Sequence, residues 1–128
     1  MKWQPYSLKL LFAFVVIIVM SKCEKEKGSP STKPLPAVVS FTRDIQPFFS
    51  STCANPGCHS GSSPKSGLDL SDSLVSYNNL FTKHEINTLN PTASNLYIFM
   101  NSNMPPSGKV PYDLALVLKW IDQGAKNN

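Results

Sequence analysis

Cys53-Ala54-Asn55-Pro56-Gly57-Cys58-His59 puts two thiols and an imidazole within seven residues of a 128-residue chain. Asn55-Pro56-Gly57-Cys58 has the composition of a type II turn, with Pro where its ring sets φ and Gly where φ must be positive. Such a turn folds the residues between the cysteines outward and returns Cys58 toward Cys53. Three chemistries compete for this set. A Cys53–Cys58 disulfide would close a very short loop and constrain little of the unfolded chain. Structural zinc takes four protein ligands, and the only other histidine, His84, has no second cysteine pair near it in the sequence. The third chemistry uses all three side chains at once.

Covalent haem attachment needs two thiols that add to the vinyl groups along one porphyrin edge, and a histidine beside the second thiol that then lies beneath the iron. The usual spacing is C-x-x-C-H. Here it is C-x4-C-H, and the Pro-Gly turn accounts for the two surplus residues.

Upstream, Lys2 and Lys9 precede an unbroken apolar run of eleven residues from Leu10 to Met20. A helix needs about 20 residues to cross a hydrocarbon core, so residues 1–22 read as an export signal. Cys23 follows where a bacterial lipoprotein signal is cut and the new N-terminal cysteine acylated. Met20-Ser21-Lys22 resembles a relaxed lipobox, with Lys22 where a small residue is usual. A plain signal peptide or an uncleaved anchor is the other reading. Giving Cys23 its own role resolves the odd count of three cysteines into an anchor and a pair. The expected location is exported, periplasmic or on the outer surface, and membrane-anchored through that lipid. Lys2, Lys9 and Lys22 belong to the leader. From Cys23 onward nine basic residues face eight acidic ones, so the formal +4 of the whole chain gives no support to nucleic-acid binding. Residues 23–37 are charged and Pro/Ser-rich, a flexible tether, leaving 38–128 as the folded domain. A domain this small builds a marginal core unaided, and a buried cofactor remedies that.

The domain reads as all-α. Asp44 or Thr42 caps a helix carrying Ile45, Phe48 and Phe49, with Pro47 in the first turn if Asp44 is the cap. Residues 60–67 form a loop. Ser71 or Asp72 caps a helix carrying Leu74, Tyr77 and Phe81. Ser94 caps another over 95–101 with Leu96, Ile98, Phe99 and Met100. Met104-Pro105-Pro106-Ser107-Gly108 is a stiff loop, since each proline removes a donor and restricts its predecessor. Pro111 opens a last helix with a Leu114, Val117, Leu118, Ile121 stripe and Gly124 at its C′ position.

Asp44-Ile45-Gln46-Pro47-Phe48, Cys53 to Gly61, Gly67-Leu68-Asp69-Leu70, Met104 to Gly108 and Trp120-Ile121-Asp122-Gln123-Gly124-Ala125 occur in the order found in small bacterial monohaem cytochrome c domains, which the chain resembles over nearly the whole domain. The resemblance implies short helices and long loops wrapped around one covalent haem c, with the N- and C-terminal helices packed together. It implies His59 as the proximal and Met104 as the distal iron ligand. A thioether is a soft ligand that favours ferrous iron, and Pro105-Pro106 would hold it in either oxidation state. Met100 is the rival, its place in an apolar run reading as core.

The expected function is electron transfer to redox partner proteins, without enzymatic activity. Two alternatives stand beside it: a non-haem exported binding module stapled by a Cys53–Cys58 disulfide, and a haem peroxidase or gas-binding protein if Met104 does not ligate. His84 reads as solvated, with distal ligation second. Trp120, Phe48, Phe49 and Tyr97 read as packing residues against the porphyrin and between helices. Lys65 and Lys109 read as ordinary solvated lysines, a ring around an exposed haem edge being second. Asp44, Asp113 and Asp122 read as capping and surface charges.

Overall fold

Ser40, in extended backbone, starts a helical run over residues 41–53, here α1. Its hydroxyl accepts from Arg43 N at 3.3 Å, and the Asp44 carboxylate accepts from Ser40 N at 2.8 Å. The first amides of the run are met from the far end of the chain. Asn128 accepts from Phe41 N through Oδ1 at 3.0 Å and from Thr42 N through its carbonyl at 3.1 Å. The helix therefore begins earlier than the sequence suggests, capped by Ser40 rather than Thr42 or Asp44, because its cap is completed across the fold. Phe41–Ile45 and Phe49–Cys53 are π-wound on either side of Gln46–Phe48, which puts Pro47 inside the run and not in its first turn. The widened turn tolerates this, since the N–H that Pro47 lacks falls where the winding changes.

This computed structural model describes residues 33–128. The expected export signal, Cys23 and the part of the expected tether up to residue 32 lie outside them. Among the described residues there is no strand, and no helix is long and apolar enough to cross a membrane. The fold of the described chain is all-α.

Asp72 caps α2, Ser73–Thr82, accepting from Leu74 N at 2.9 Å and Val75 N at 3.3 Å. Of the expected stripe only Tyr77 packs inward; Leu74 is 62% exposed and Phe81 also faces out, while Ser76 and Leu80 are buried. Tyr77 sets this rotation. Its ring meets Phe41 edge-on at 5.3 Å, and its hydroxyl donates to the Ala125 carbonyl at 3.0 Å.

In α3, Asn95–Ser102, Leu96 and Met100 are buried, whereas Ile98 and Phe99 are exposed. The Ser94 hydroxyl does not cap this helix; it accepts from Asn87 N at 2.9 Å and ties down the preceding loop. The last helix, α4, is Pro111–Asp122, and its buried face is Leu116, Val117, Trp120 and Ile121. Leu114 and Leu118 are only half-buried, so the face is turned from the expected stripe. Gly124, at φ +91°, ends the helix as expected, with Gly124 N bonding Ile121 O and Ala125 N bonding Trp120 O.

Phe41, Tyr77 and Trp120 join α1, α2 and α4, the Phe41 and Trp120 ring centres lying 5.1 Å apart. The first and last helices thus pack on each other. Chain before α1 also lies on the domain: Leu35 packs against the core, and the Gln123 carboxamide pairs with Ala37 O at 2.7 Å and Val39 N at 3.0 Å.

Candidate functional site

The end of α1 delivers Cys53, and the chain then turns on itself. Cys58 N donates to Asn55 O at 2.9 Å with Gly57 at φ +78°, the expected type II turn. Asn55, Pro56 and Gly57 stand exposed, so the surplus residues do fold outward. His59 N then donates to Cys53 O at 3.1 Å, closing the motif, and Lys65 N donates to Cys58 O at 2.7 Å.

His59 is held at two points by the extended Leu68–Leu70 segment. Leu70 N donates to the His59 carbonyl at 2.8 Å, and the ring Nδ1 lies 3.1 Å from Leu68 O. A carbonyl only accepts, so Nδ1 carries the proton, and in the neutral ring Nε2 has the free lone pair. That is the arrangement of a metal-binding histidine with a backbone partner.

Cys53, Cys58, His59, Leu68 and Leu70 line a cleft together with Leu96, Phe99, Met100, Met104, Pro105 and Pro106. Its lining is mostly apolar and it opens to solvent, the usual character of a small-molecule or cofactor site. The cleft thus gathers all four residues expected to hold the cofactor. Both thiols are free. Burial above all, with the charges of Asp113 and Cys58 behind it, pushes the Cys53 thiol up to about 12. At neutral pH it is an uncharged and poorly nucleophilic thiol.

Met100 also lines the cleft while being 4% exposed, so it is core and cleft at once. Glu85 is the titratable lining residue that sequence reasoning missed, beside Thr52 and Ser66. It gets there because α2 ends with His84 in the left-handed region at φ +58°, with Glu85 N bonding Leu80 O at 2.9 Å and Leu96 N bonding Glu85 O at 3.2 Å. Burial raises the Glu85 carboxyl above its ordinary value, opposed by the charges of His59 and Lys83. A histidine as the left-handed residue has little signature of its own; glycine is the usual signal there.

The other expectations sort by position. His84 is exposed and does not line the cleft. Lys65 lines it, while Lys109 bonds the Asn101 carbonyl instead. Phe48, Phe49 and Trp120 pack between helices, and none of them lines the cleft; the aromatic that does is Phe99. Asp44 accepts from the N–H of the cap residue Ser40 and pairs with Arg43 at 2.9 Å, and the hydrogen bond from Arg43 above all holds its carboxyl below the usual range. Asp122 is exposed, and Asp113 is half-buried, its carboxyl raised by that burial. Among the described residues no three His, Cys, Asp or Glu side chains converge as a metal-binding cluster. Comparison with protein-family models, curated proteins and solved structures found no match.

Proposed function

We propose that the chain is an electron carrier of cytochrome c type, holding one haem c in this cleft. Cys53 and Cys58 would hold the haem covalently, and His59 and Met104 would ligate its iron. The observation that carries the reading is that two free thiols, an imidazole with Nε2 unpaired and a methionine thioether all line one apolar cleft. The residues fit the group in apolar lining and in donor chemistry.

When bound, the haem supplies a one-electron couple whose potential His/Met ligation raises relative to ligation by two imidazoles. The protein does the rest. The Leu68 carbonyl orients the His59 ring and raises its basicity. Pro105 and Pro106 stiffen the chain beside Met104. The leucines and Phe99 keep water from the ligands, leaving one open mouth for exchange with a redox partner protein. Export and a lipid on Cys23 complete the proposal and confine the carrier to a membrane surface.

Coexpression of the full chain with haem-maturation factors tests this, reading haem absorbance after denaturation. Haem retained by the wild type and lost in the double variant Cys53→Ala, Cys58→Ala is the expected result. A wild-type chain that carries no covalent haem sinks the proposal and favours the non-haem binding module.

A further inference from the structure

The geometry points to Gln46 as the positioning residue for the His59 imidazole, acting through the Leu68–Leu70 segment; this deepens the haem reading above and rests on it for its functional meaning. Gln46 belongs to α1 and is buried. Its Nε2 donates to Leu70 O at 3.0 Å and to Ser50 Oγ at 3.0 Å. On the same three-residue strap, Leu70 N donates to His59 O at 2.8 Å and Leu68 O accepts from His59 Nδ1 at 3.1 Å. The strap carries two bonds to His59 and one to Gln46. Its two leucines are buried, Leu68 and Leu70 both belonging to the core with which α1 packs.

A glutamine here is costly for stability. Its Oε1 is buried with no hydrogen-bond partner, a burden that an apolar side chain of the same length would not carry. Methionine would remove that orphaned oxygen but would also leave the buried Leu70 carbonyl without its donor, so stability alone does not select glutamine. What the amide adds is a donor aimed at the carbonyl that ends the strap, which fixes where Leu68 O stands against the ring. A firm Nδ1–H bond orients the imidazole and enriches Nε2 as a ligand.

The test is the near-isosteric Gln46→Met in the full chain. The first readout is solvent exchange of the His59 Nδ1–H, measurable with or without haem, so its failure is distinct from failure of the haem reading. The second is the midpoint potential of the haem-loaded protein. Gln46→Met is expected to exchange the ring proton about tenfold faster and to shift the potential upward, because a less electron-rich imidazole favours reduced iron. An unchanged exchange rate in the folded variant overturns the proposal. If Gln46→Met does not fold, the wild type decides. Ring Nδ1–H and Leu70 N–H opening at one common rate supports a strap that holds the ring; a ring proton exchanging far faster than Leu70 N–H overturns it.

Discussion

The stretch from Cys53 to Leu70 and the stretch from Leu96 to Gly108 line the same cleft but are held by different physics. In the first, backbone bonds run from His59 to Cys53, from Cys58 to Asn55, from Lys65 to Cys58 and from Leu70 to His59, and the ring itself is bonded to Leu68. In the second, Met104 N bonds Phe99 O at 2.9 Å and Gly108 N bonds Pro105 O at 3.1 Å, with prolines between that donate nothing. Hydrogen bonding decides which atom of His59 is presented. Stiff chain fixes only where the Met104 side chain starts.

The largest effect expected from this contrast is on ligation. Met104→Ala in the haem-loaded protein should keep covalent haem but open the sixth position, so that cyanide binds where it does not bind the wild type. Met100→Leu should leave the native spectrum intact, since a volume-conserving core swap costs under about 1.5 kcal/mol. A spectrum that survives Met104→Ala and changes in Met100→Leu would reverse the assignment of the two sulfurs.

Next is a pH effect confined to the Cys53 side, seen in the haem-free chain. The folded Cys53 thiol stands at about 12 against an ordinary 9.0. The unfolded chain therefore releases that proton first as pH rises. Stability is full below about pH 9 and declines toward 12. Chemical denaturation across that range should show the decline in the wild type and a flatter profile in Cys53→Ala.

The smallest effects separate torsion from chain entropy. A Cβ at Gly57 would touch nothing within 4 Å, yet φ is +78°, so Gly57→Ala should cost about 1–2 kcal/mol by strain alone. Pro106→Ala, in the proline-held stretch, should cost about 0.4–1 kcal/mol through a freer unfolded chain. Thermal melts of the two variants check both.

Where a structural signal is complete within a few residues, it was legible. The Asn55–Cys58 turn, the Asp72 cap and the Pro111-to-Gly124 helix each rest on local torsions and short-range bonds, and each is present. Cys53, Cys58, His59 and Met104 do line one cleft, a gathering that residue type suggested through side-chain chemistry and loop stiffness. Helix faces were not. Leu74 is as apolar as Leu80, but only Leu80 lies on the side that Tyr77 turns toward Phe41 and Ala125.

By itself, then, the sequence determined an all-α domain, its turn chemistry and which donor atoms Cys53, Cys58, His59 and Met104 carry, since these follow from local sterics and intrinsic reactivity. Only the tertiary structure decided that Asn128 completes the Ser40 cap, that Glu85 enters the cleft and that Gln46 reaches the strap behind His59. Each of these joins residues far apart in the chain, and such a pairing exists only once the core has packed.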